Sequence, residues 1–405
     1  MRKSLAIFIG VAITAFSQAQ ELKIKPFVMA QPWLTYTENY DVPGAPNLKE
    51  HQSDFFIRRG RFGLKGQFNR NLKFKLVMSY DKLWKTDPNP NDGAKGSIRF
   101  SGETHPKLQF LDVFLMWKAL GDTLVFTGGH FRPQVGRANI TSGFKILSLE
   151  KGLPNFYVRN HVIGKPLKVH TFNFATGNGR ATNVNAGGLV LKGFYSLNYN
   201  FSVAYNQNYV NSKYNSPLLV GRVALSIGDP EMREYKLGYT QTYLGKRKGI
   251  TFALNGSYQG EGIYKKKNRP FNKNYLYGGD ILANYKNFDF VFEYDLLGRK
   301  WKDGKSYLDK VWQVKAGYII NILSQKFEPA ISYEKFVPDN NGNSVYGKRK
   351  NKRYDVGINW YIRGNRLKLS LHYAKGKVYN YKNKKTGDIG TVNVSYIGVG
   401  FQFIF

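Results

Sequence analysis

Residues 288–296 read Phe-Asp-Phe-Val-Phe-Glu-Tyr-Asp-Leu and alternate between two kinds of side chain with a period of two. Every second residue from 288 is aromatic or aliphatic, and three of the four residues between them are acidic. The same alternation recurs in residues 72–81, 354–363 and 397–405. Successive side chains of a β-strand point to opposite faces, so each stretch predicts a strand with one apolar face and one polar face.

The length and the ends of these strands distinguish a membrane barrel from a soluble β-sandwich. The predicted strands run for about 10–14 residues, against a usual length near 5–6, and their ends are rich in Tyr, Phe and Trp. A sheet in lipid must close, because every backbone polar group there needs a partner. The sequence therefore predicts an all-β fold, a transmembrane antiparallel β-barrel of about 16–18 strands with both termini in the periplasm.

The connections between the predicted strands alternate between short and long. We assign the short ones to periplasmic turns at 69–71, 121–122, 286–287, 323–325 and 364–365. We assign the long ones to extracellular loops at roughly 38–53, 85–106, 136–157, 177–186, 210–216, 260–274, 301–308, 338–352 and 379–389. These nine loops imply about 18 strands. Two segments alternate weakly: 157–176 is short for a spanning strand, and 228–247 is either a long turn or a further hairpin.

The composition excludes several other classes of protein. The chain has 405 residues, with 61 Lys and Arg against 27 Asp and Glu, a formal charge of +34. After residue 20, no apolar run approaches the roughly 18 residues of a membrane helix. The absence of cysteine excludes disulfide scaffolds and thiol catalysis. No plug domain is visible before the first predicted strand at about Leu22, so the barrel should enclose water and act as a diffusion channel.

The first residues resemble an export signal. Arg2 and Lys3 precede an apolar run over 5–16, and Ser17-Gln18-Ala19 supplies small residues for cleavage. We therefore expect a signal peptide at 1–19 and a barrel domain at 20–405. Export without cysteine fits the outer membrane of a Gram-negative cell.

Cationic side chains on the strands should point into the lumen. A Lys or Arg on the lipid face at mid-depth costs roughly 2–4 kcal/mol, and the run 55–68 carries three on one face. Arg58 falls on the other, apolar face and is predicted to lie near the rim or to extend its charge toward water. The lumen-facing cations predicted in this way are Arg59, Arg61, Lys65, Lys73, Lys75 and Lys315.

A lumen lined by cations attracts small anions, because Arg and Lys bind phosphate and carboxylate groups. The alternative is that these cations balance carboxylates in the lumen, such as Asp81, Glu293, Asp295 and Asp355. Cations outnumber acids more than twofold, so pairing cannot be complete. The sequence favours an anion-preferring channel and leaves a merely basic lumen open.

Two motifs carry a family resemblance. Arg58–Gly66 reads Arg-Arg-x-Arg-x-Gly-x-x-Gly, and Gly129–Val135 is followed by Thr141-Ser142 and by Glu150–Pro154. Together they resemble the phosphate-selective porin O/P family, specifically over 54–80 and 107–176. The resemblance implies a trimeric barrel porin with inward loops, and pore-lining roles for Arg59, Arg61 and Arg132. Arg132 stands where Lys is common in the family, and Gln134-Val135 replaces the usual Pro-Phe.

Loop 136–157 is too apolar for a free surface loop. Phe144, Ile146, Leu147 and Leu149 interrupt its polar residues. Such a loop could fold inward and constrict the pore, presenting Arg137, Lys145 or Lys151. The alternative is that it caps the barrel or packs against a neighbouring subunit.

The remaining expectations concern partners and chemistry. Phe405 ends an amphipathic strand and is similar to the signal that the barrel-assembly machinery reads. The basic knots 265–267 and 348–350 should meet lipopolysaccharide phosphates or solvent. Six scattered His and no Cys predict no metal or cofactor, and we expect neither an enzyme nor nucleic-acid binding. The alternative function is a structural or partner-binding barrel, such as an adhesin or secretion component, with a blocked pore.

Overall fold

The computed structural model describes residues 22–41, 52–84, 108–164, 173–174, 179–382 and 387–405. The predicted signal peptide at 1–19 and the predicted loop 85–106 lie outside these ranges. Within them, no helix is both long and apolar enough to cross a membrane. The two α-helices, α1 (Arg137–Ile140) and α2 (Leu153–Val162), are short.

Sixteen long strands form one antiparallel sheet in the part of the chain that the structure describes. They are β1 (Lys23–Asp41), β2 (Gln52–Gln67), β3 (Leu72–Ser79), β4 (Gln109–Leu120), β5 (Leu124–Phe131), β6 (Ala181–Lys192), β7 (Tyr195–Tyr205), β8 (Leu218–Gly228), β9 (Gly249–Gln259), β10 (Arg269–Tyr285), β11 (Phe288–Trp301), β12 (Ser306–Tyr318), β13 (Gln325–Val337), β14 (Asn351–Asn365), β15 (Leu367–Lys382) and β16 (Ile389–Ile404). Three shorter stretches, Asn173–Phe174, Gly262–Tyr264 and Ile320–Ile322, extend the sheet at its ends.

The sheet closes into a barrel between its first and last strands. β1 pairs with β2 on one side and with β16 on the other. Val28 and Phe405 exchange two backbone hydrogen bonds of 3.1 and 2.9 Å across this seam. Each long strand therefore has two neighbours, which confirms the predicted closed β-barrel at the lower end of the predicted strand number.

The two faces of the strands carry different side chains, as the alternation predicts. On β7, Leu197, Phe201 and Val203 are exposed on the outer wall, whereas Asn198 and Asn200 are buried inside. Apolar side chains face outward because the surrounding hydrocarbon offers polar groups no partner. The interior is polar and densely hydrogen-bonded.

Short turns collect at one end of the barrel, the short-turn end, which also holds the start of β1 and the end of β16. The long connections collect at the other, the long-loop end. Sixteen described strands leave eight connections there, so the prediction of nine loops is wrong. The predicted loops 136–157 and 177–186 belong to one connection, because residues 153–162 form α2 and residues 181–192 form β6.

One connection at the short-turn end is long, which agrees with the first of the two alternatives given for 228–247, a long turn rather than a further hairpin. Residues 229–248 join β8 to β9 and fold into the barrel. Met232, Tyr235 and Tyr239 pack there against Met116 and Leu189 of the wall. These apolar side chains give the segment an interior position, which explains why it lacks the alternation of a strand.

Engineered cysteines test the closure of the barrel. Leu34 of β1 and Val399 of β16 are register partners, and such Cα atoms lie about 4.5–5.5 Å apart, within the range of a disulfide. Because the chain has no cysteine, the Leu34→Cys/Val399→Cys variant should lose both free thiols on mild oxidation and shift its mobility on a non-reducing gel. In the Leu34→Cys/Ile331→Cys control, the cysteines lie four strands apart on the outer wall and should stay free. Free thiols in the first variant would contradict closure.

Candidate pore and its charged lining

Two segments from opposite ends of the barrel fill part of its interior. Residues 132–164, the inner loop, enter from the long-loop end, and residues 229–248, the inner segment, enter from the short-turn end. In the inner loop, Val158 of α2 belongs to a buried cluster with Leu276 and Leu297 of the wall. The stretch 136–157 thus lies inside the barrel, where its apolar residues are shielded from water.

The inner loop and the inner segment meet inside the barrel. The Arg137 guanidinium lies 2.6 Å from a Glu231 carboxylate oxygen, and both side chains are buried. The Ser142 N–H donates to the Tyr239 carbonyl at 3.1 Å. The interior is therefore crossed by polypeptide that is attached at both ends of the barrel.

Carboxylates on the β10–β13 wall hold the inner loop in place. Asp280 accepts a 2.5 Å contact from Arg137, and Glu293 accepts the Ala138 N–H at 2.9 Å. Glu334 accepts the N–H of Leu153, the first residue of α2, at 2.7 Å. Glu293 and Glu334 thus accept N–H groups in the first turns of α1 and α2, which have no partner within the helix, whereas Asp280 binds a side chain.

Two of the predicted pore-lining cations are buried within this anchoring network. Arg137 is 0% exposed between Glu231 and Asp280. Lys315 is 0% exposed, 3.1 Å from Glu334 and 2.7 Å from the Ser148 hydroxyl. These two cations are therefore paired with carboxylates of the interior, as the alternative interpretation of the sequence predicts.

Glu150 anchors the inner loop to β2 through two arginines. A bulge shifts the register between Gln31 opposite Arg59 and Pro32 opposite Ile57, so consecutive side chains of β2 turn inward. Arg58 contacts Glu150 at 2.5 Å and Arg59 pairs with its other oxygen. The prediction of Arg58 at the rim is therefore wrong, because the bulge interrupts the strict alternation.

The charges around Glu150 keep this carboxylate ionised. Although burial opposes ionisation, Arg58 and Arg59 hold the pKa of Glu150 well below its usual range. Arg59 also donates to the Gln31 side chain at 2.7 Å. Gln31 in turn donates to the Gly143 carbonyl of the inner loop at 3.3 Å, and Arg59 is only 3% exposed.

The opposite wall, β2–β4, carries less buried cations. Arg61 lies 3.3 Å from Asp81, and Lys75 lies 3.5 Å from Asp112. The side chains of Arg61 and Lys75 stay 15% and 30% exposed. Lys65 is exposed, with its ammonium 4.7 Å from the centre of the Phe27 ring.

Lys73, the remaining predicted cation of β3, pairs with the inner segment near the short-turn end. Glu234 bridges Lys73 and Lys118. Hydrogen bonds from Lys118 and Lys73 lower the pKa of Glu234 to about 2. The inner segment is thus tied to the β3–β4 wall by a carboxylate, as the inner loop is tied to β2.

The inner loop and the inner segment each add a lysine to the β2–β3 wall. Burial, together with the positive charges of Lys236, Lys65 and Lys75, lowers the pKa of Lys145. Four lysine charges therefore act on one another across the interior. Lys236 was missed because its segment shows neither strand alternation nor a recognised motif, and only its position in the fold brings it to the wall.

Further cations continue this lining toward the long-loop end. Arg132 and Lys151 both donate to the Asn139 carbonyl. Burial, together with the charge of Arg180, lowers the pKa of Arg132 well below its usual value, and burial with the charge of Arg132 does the same for Lys151. Arg180 itself pairs with Asp112 at 2.7 Å.

We call this set of mutually interacting cations the cationic strip. Its members are Arg61, Lys65, Lys75, Arg132, Lys145, Lys151, Arg180 and Lys236. Among the described residues, the acids that form ion pairs with members of the strip are Asp81 and Asp112. The two walls thus differ: carboxylates are neutralised around the inner loop on one side, and cations are in excess on the other.

Other inward side chains bind one another within the wall of the barrel. His372 Nδ1 lies 2.7 Å from Asp355, and the Ser370 hydroxyl donates to Asn359 at 2.7 Å. Both side chains are buried in the β14–β15 wall. Within the described ranges, no three His, Asp or Glu side chains are grouped so that they could hold a metal ion.

Comparison with known sequences finds a family and a distant relative. The family model for phosphate-selective porin O and P matches residues 321–405. This confirms the resemblance, but in the last four strands rather than in the motifs at 54–80 and 107–176. An uncharacterized protein of Aquifex aeolicus (strain VF5) is 25% identical over 361 residues, which cover 86% of this chain and 80% of that protein.

Comparison with solved structures identifies the fold. The anion-selective porin from Comamonas acidovorans superimposes with a TM-score of 0.60 at 13% identity, covering 95% of this chain and 100% of that one. OprB of Pseudomonas putida gives 0.55 at 9% identity, covering 98% and 97%. The outer membrane channel DcaP of Acinetobacter baumannii gives 0.52 at 12%, covering 94% and 97%. The chain has the fold of outer-membrane porins.

Replacing Glu150 with Gln tests the anchoring of the inner loop. The Glu150→Gln variant should lose about 3–5 kcal/mol of unfolding free energy, because it leaves the buried Arg59 without a compensating charge. The measurement is the urea midpoint of the barrel in detergent, followed by circular dichroism.

Glu261→Gln is the matched control for this variant. It breaks a pair with Lys302 in which the side chains are 53% and 35% exposed, and surface pairs contribute only about 0–1 kcal/mol. Equal midpoints for the two variants would show that Glu150 does not anchor the loop.

Proposed function

We propose that the chain is an outer-membrane porin whose lumen passes small anions, phosphate among them, in preference to cations. The observation that carries this proposal is the cationic strip, in which eight cations act on one another and the described ion pairs involve Asp81 and Asp112. Fixed positive charges along a narrow passage through a medium of low dielectric constant raise the local concentration of anions.

The predicted site residues divide into two roles under this proposal. Arg61, Lys65, Lys75 and Arg132 line the path of the anion. Lys73 stands at its short-turn end beside Glu234. Arg59, Arg137 and Lys315 instead hold the constriction together through Glu150, Asp280 and Glu334, so their charge is neutralised locally.

The similarities found for the chain support the same solute class. The matching family model is described as phosphate-selective, and the Comamonas porin with the same fold is described as anion-selective. Arg and Lys suit phosphate because both carry several N–H donors together with a charge. The proposal extends to a location in the outer membrane with the short-turn end in the periplasm, to export by residues 1–19, to assembly through Phe405 and to a homotrimer.

A second candidate function is a structural or partner-binding barrel with a blocked pore. One observation favours it: the inner loop and the inner segment meet inside the barrel through Arg137 and Glu231. Single-channel recordings in planar bilayers separate the two candidates. Open channels with an anion-selective reversal potential support the porin, and silent insertions support the blocked barrel.

Neutralising two lysines of the strip should lower anion selectivity. Lys65 and Lys145 have no acid partner among the described ion pairs, so Lys65→Gln/Lys145→Gln removes charge without leaving a carboxylate behind. A unit charge about 4 Å away in water contributes about 1 kcal/mol, so the anion-to-cation permeability ratio should fall by up to about fivefold per charge. The measurement is the reversal potential across a KCl gradient.

The matched control for this variant is Lys192→Gln/Lys286→Gln. Both lysines are exposed at the short-turn end, outside the lumen, so the same change in net charge should leave selectivity unaltered. Unchanged selectivity in the Lys65/Lys145 variant would retire the strip as the anion path.

Anion selectivity should fall as the pH is raised, and the fall should begin at a pH below the ordinary pKa of lysine. Because burial and three neighbouring lysines lower the pKa of Lys145 from 10.5, it loses its charge earlier than a free lysine. Lys145→Arg should lose less selectivity than the wild type over the same range, since a guanidinium stays protonated. Reversal potentials from neutral pH to about pH 10 test this, and superimposable profiles would contradict it.

A further inference from the structure

Three lysines stand directly opposite one another on the outer wall. Lys335 of β13 is the register partner of Lys352 of β14, which in turn is the partner of Lys377 of β15. All three lie toward the long-loop end, and the residues next to them, Arg353 and Gly376, are paired on the inner side of the same rows. We call these three residues the lysine cluster.

The lysine cluster converges on one tyrosine. The ammonium groups of Lys352 and Lys377 lie 5.4 and 5.1 Å from the centre of the Tyr379 ring. Lys352 is also hydrogen-bonded to the Tyr379 hydroxyl. Two of the three ammonium groups thus lie against one aromatic ring, and the charge of Lys335 acts on the same side chain.

The lysine cluster lies at the depth of the lipid headgroups. One row nearer the middle of the barrel, the rings of Tyr333 and Tyr354 are 4.7 Å apart. The next row contains Ile331 and Val356, which are 61% and 52% exposed. On β13 and β14, the outward side chains thus change from aliphatic to aromatic to cationic toward the long-loop end, which is the order in which a wall passes from hydrocarbon to headgroups.

The acids on the strands that carry the lysine cluster point away from it. Like charges placed directly opposite on neighbouring strands repel. The three acids of β13–β15, namely Glu328, Glu334 and Asp355, point inward and are at most 1% exposed. The outward Glu38 is the register partner of Ser395, which is the partner of Lys375, so it lies one row nearer the middle of the barrel than Lys377 and two strands away from β15.

We propose that the lysine cluster binds the phosphate of a phosphorylated glycolipid of lipid A type in the outer leaflet, with Tyr333, Tyr354 and the aliphatic row below contacting its acyl chains. The charge of the cluster calls for an anion, and the apolar rows directly beneath it favour an anion attached to a lipid over free phosphate. This inference rests on the proposed outer-membrane location but not on conduction, since the cluster is outside the lumen.

The test measures lipid binding by the full-length barrel in detergent. Purified protein is titrated with lipid A, and bound lipid is counted by native mass spectrometry. Lys335→Gln/Lys352→Gln/Lys377→Gln should weaken binding by roughly a hundredfold, because each cation near a membrane surface contributes on the order of fivefold. Dephosphorylated lipid A should bind the wild type as weakly as lipid A binds the variant.

Two controls make the result specific. Lys192→Gln/Lys248→Gln/Lys286→Gln removes the same charge at the short-turn end and should bind lipid A like the wild type. Millimolar inorganic phosphate should not displace the lipid. Equal loss in both triple variants, undiminished binding in the cluster variant, or displacement by free phosphate would each overturn the proposal, as would loss of oligomers without any change in lipid binding.

Single-channel conductance of the cluster variant separates this inference from the proposed function. The pore lining is untouched, so conductance and selectivity should match the wild type. If the wild type is silent but the lysine cluster binds lipid A, the proposed function fails alone. If the wild type conducts but the cluster variant binds lipid A normally, this inference fails alone.

Discussion

The pairing of strand carboxylates with the inner loop is the interaction on which the interior depends. Asp280 pairs with Arg137 of the loop, and Glu293 and Glu334 accept backbone N–H groups from it. Glu150 of the loop pairs in turn with Arg59 of β2. A carboxylate in such a place must be matched, because an unpaired buried charge is far more costly than a matched one. The acids of the interior are consequently concentrated where polypeptide fills the barrel. The cations left over accumulate on the β2–β4 wall, and the electrostatic asymmetry of the lumen follows directly from how the loop is held.

The shape of the constriction depends on a few backbone positions. Gly152 precedes α2 with a φ of 93°, a conformation that side-chain-bearing residues rarely adopt. A Cβ there would lie 2.2 Å from a Glu334 oxygen, so glycine lets the carboxylate approach the start of the helix. One turn further along α2, the ring of Tyr157 stacks on Phe336 of the same strand at 3.6 Å between centres. The helix is thereby held at its first turn by charge and along its side by aromatic packing.

Much of the barrel could be predicted from the sequence, because the rule that places a side chain in lipid or in the lumen acts residue by residue. The alternation in 288–296 and 354–363 is visible without knowledge of any partner. The features that escaped prediction depend on contacts between distant residues. The bulge that turns Arg58 inward lies at Pro32 of β1, a residue that cannot donate a ladder hydrogen bond. Arg58 then contacts Glu150 across the interior. The position of helix α2 depends on apolar packing against Leu276, and that of the inner segment on packing against Leu189. Both leucines lie on strands that are distant in the chain.

The inner segment has a consequence for how such a barrel can be modified. Because the inner loop is bound to the inner segment through Glu231 and to β2 through Glu150, the position of its backbone does not depend on one contact alone. Side chains such as Lys145 and Lys236 project from a frame that is braced independently of them. Side chains that face the lumen can therefore be replaced one at a time, with a change of charge or size, while the backbone of the inner loop and the inner segment keeps its position.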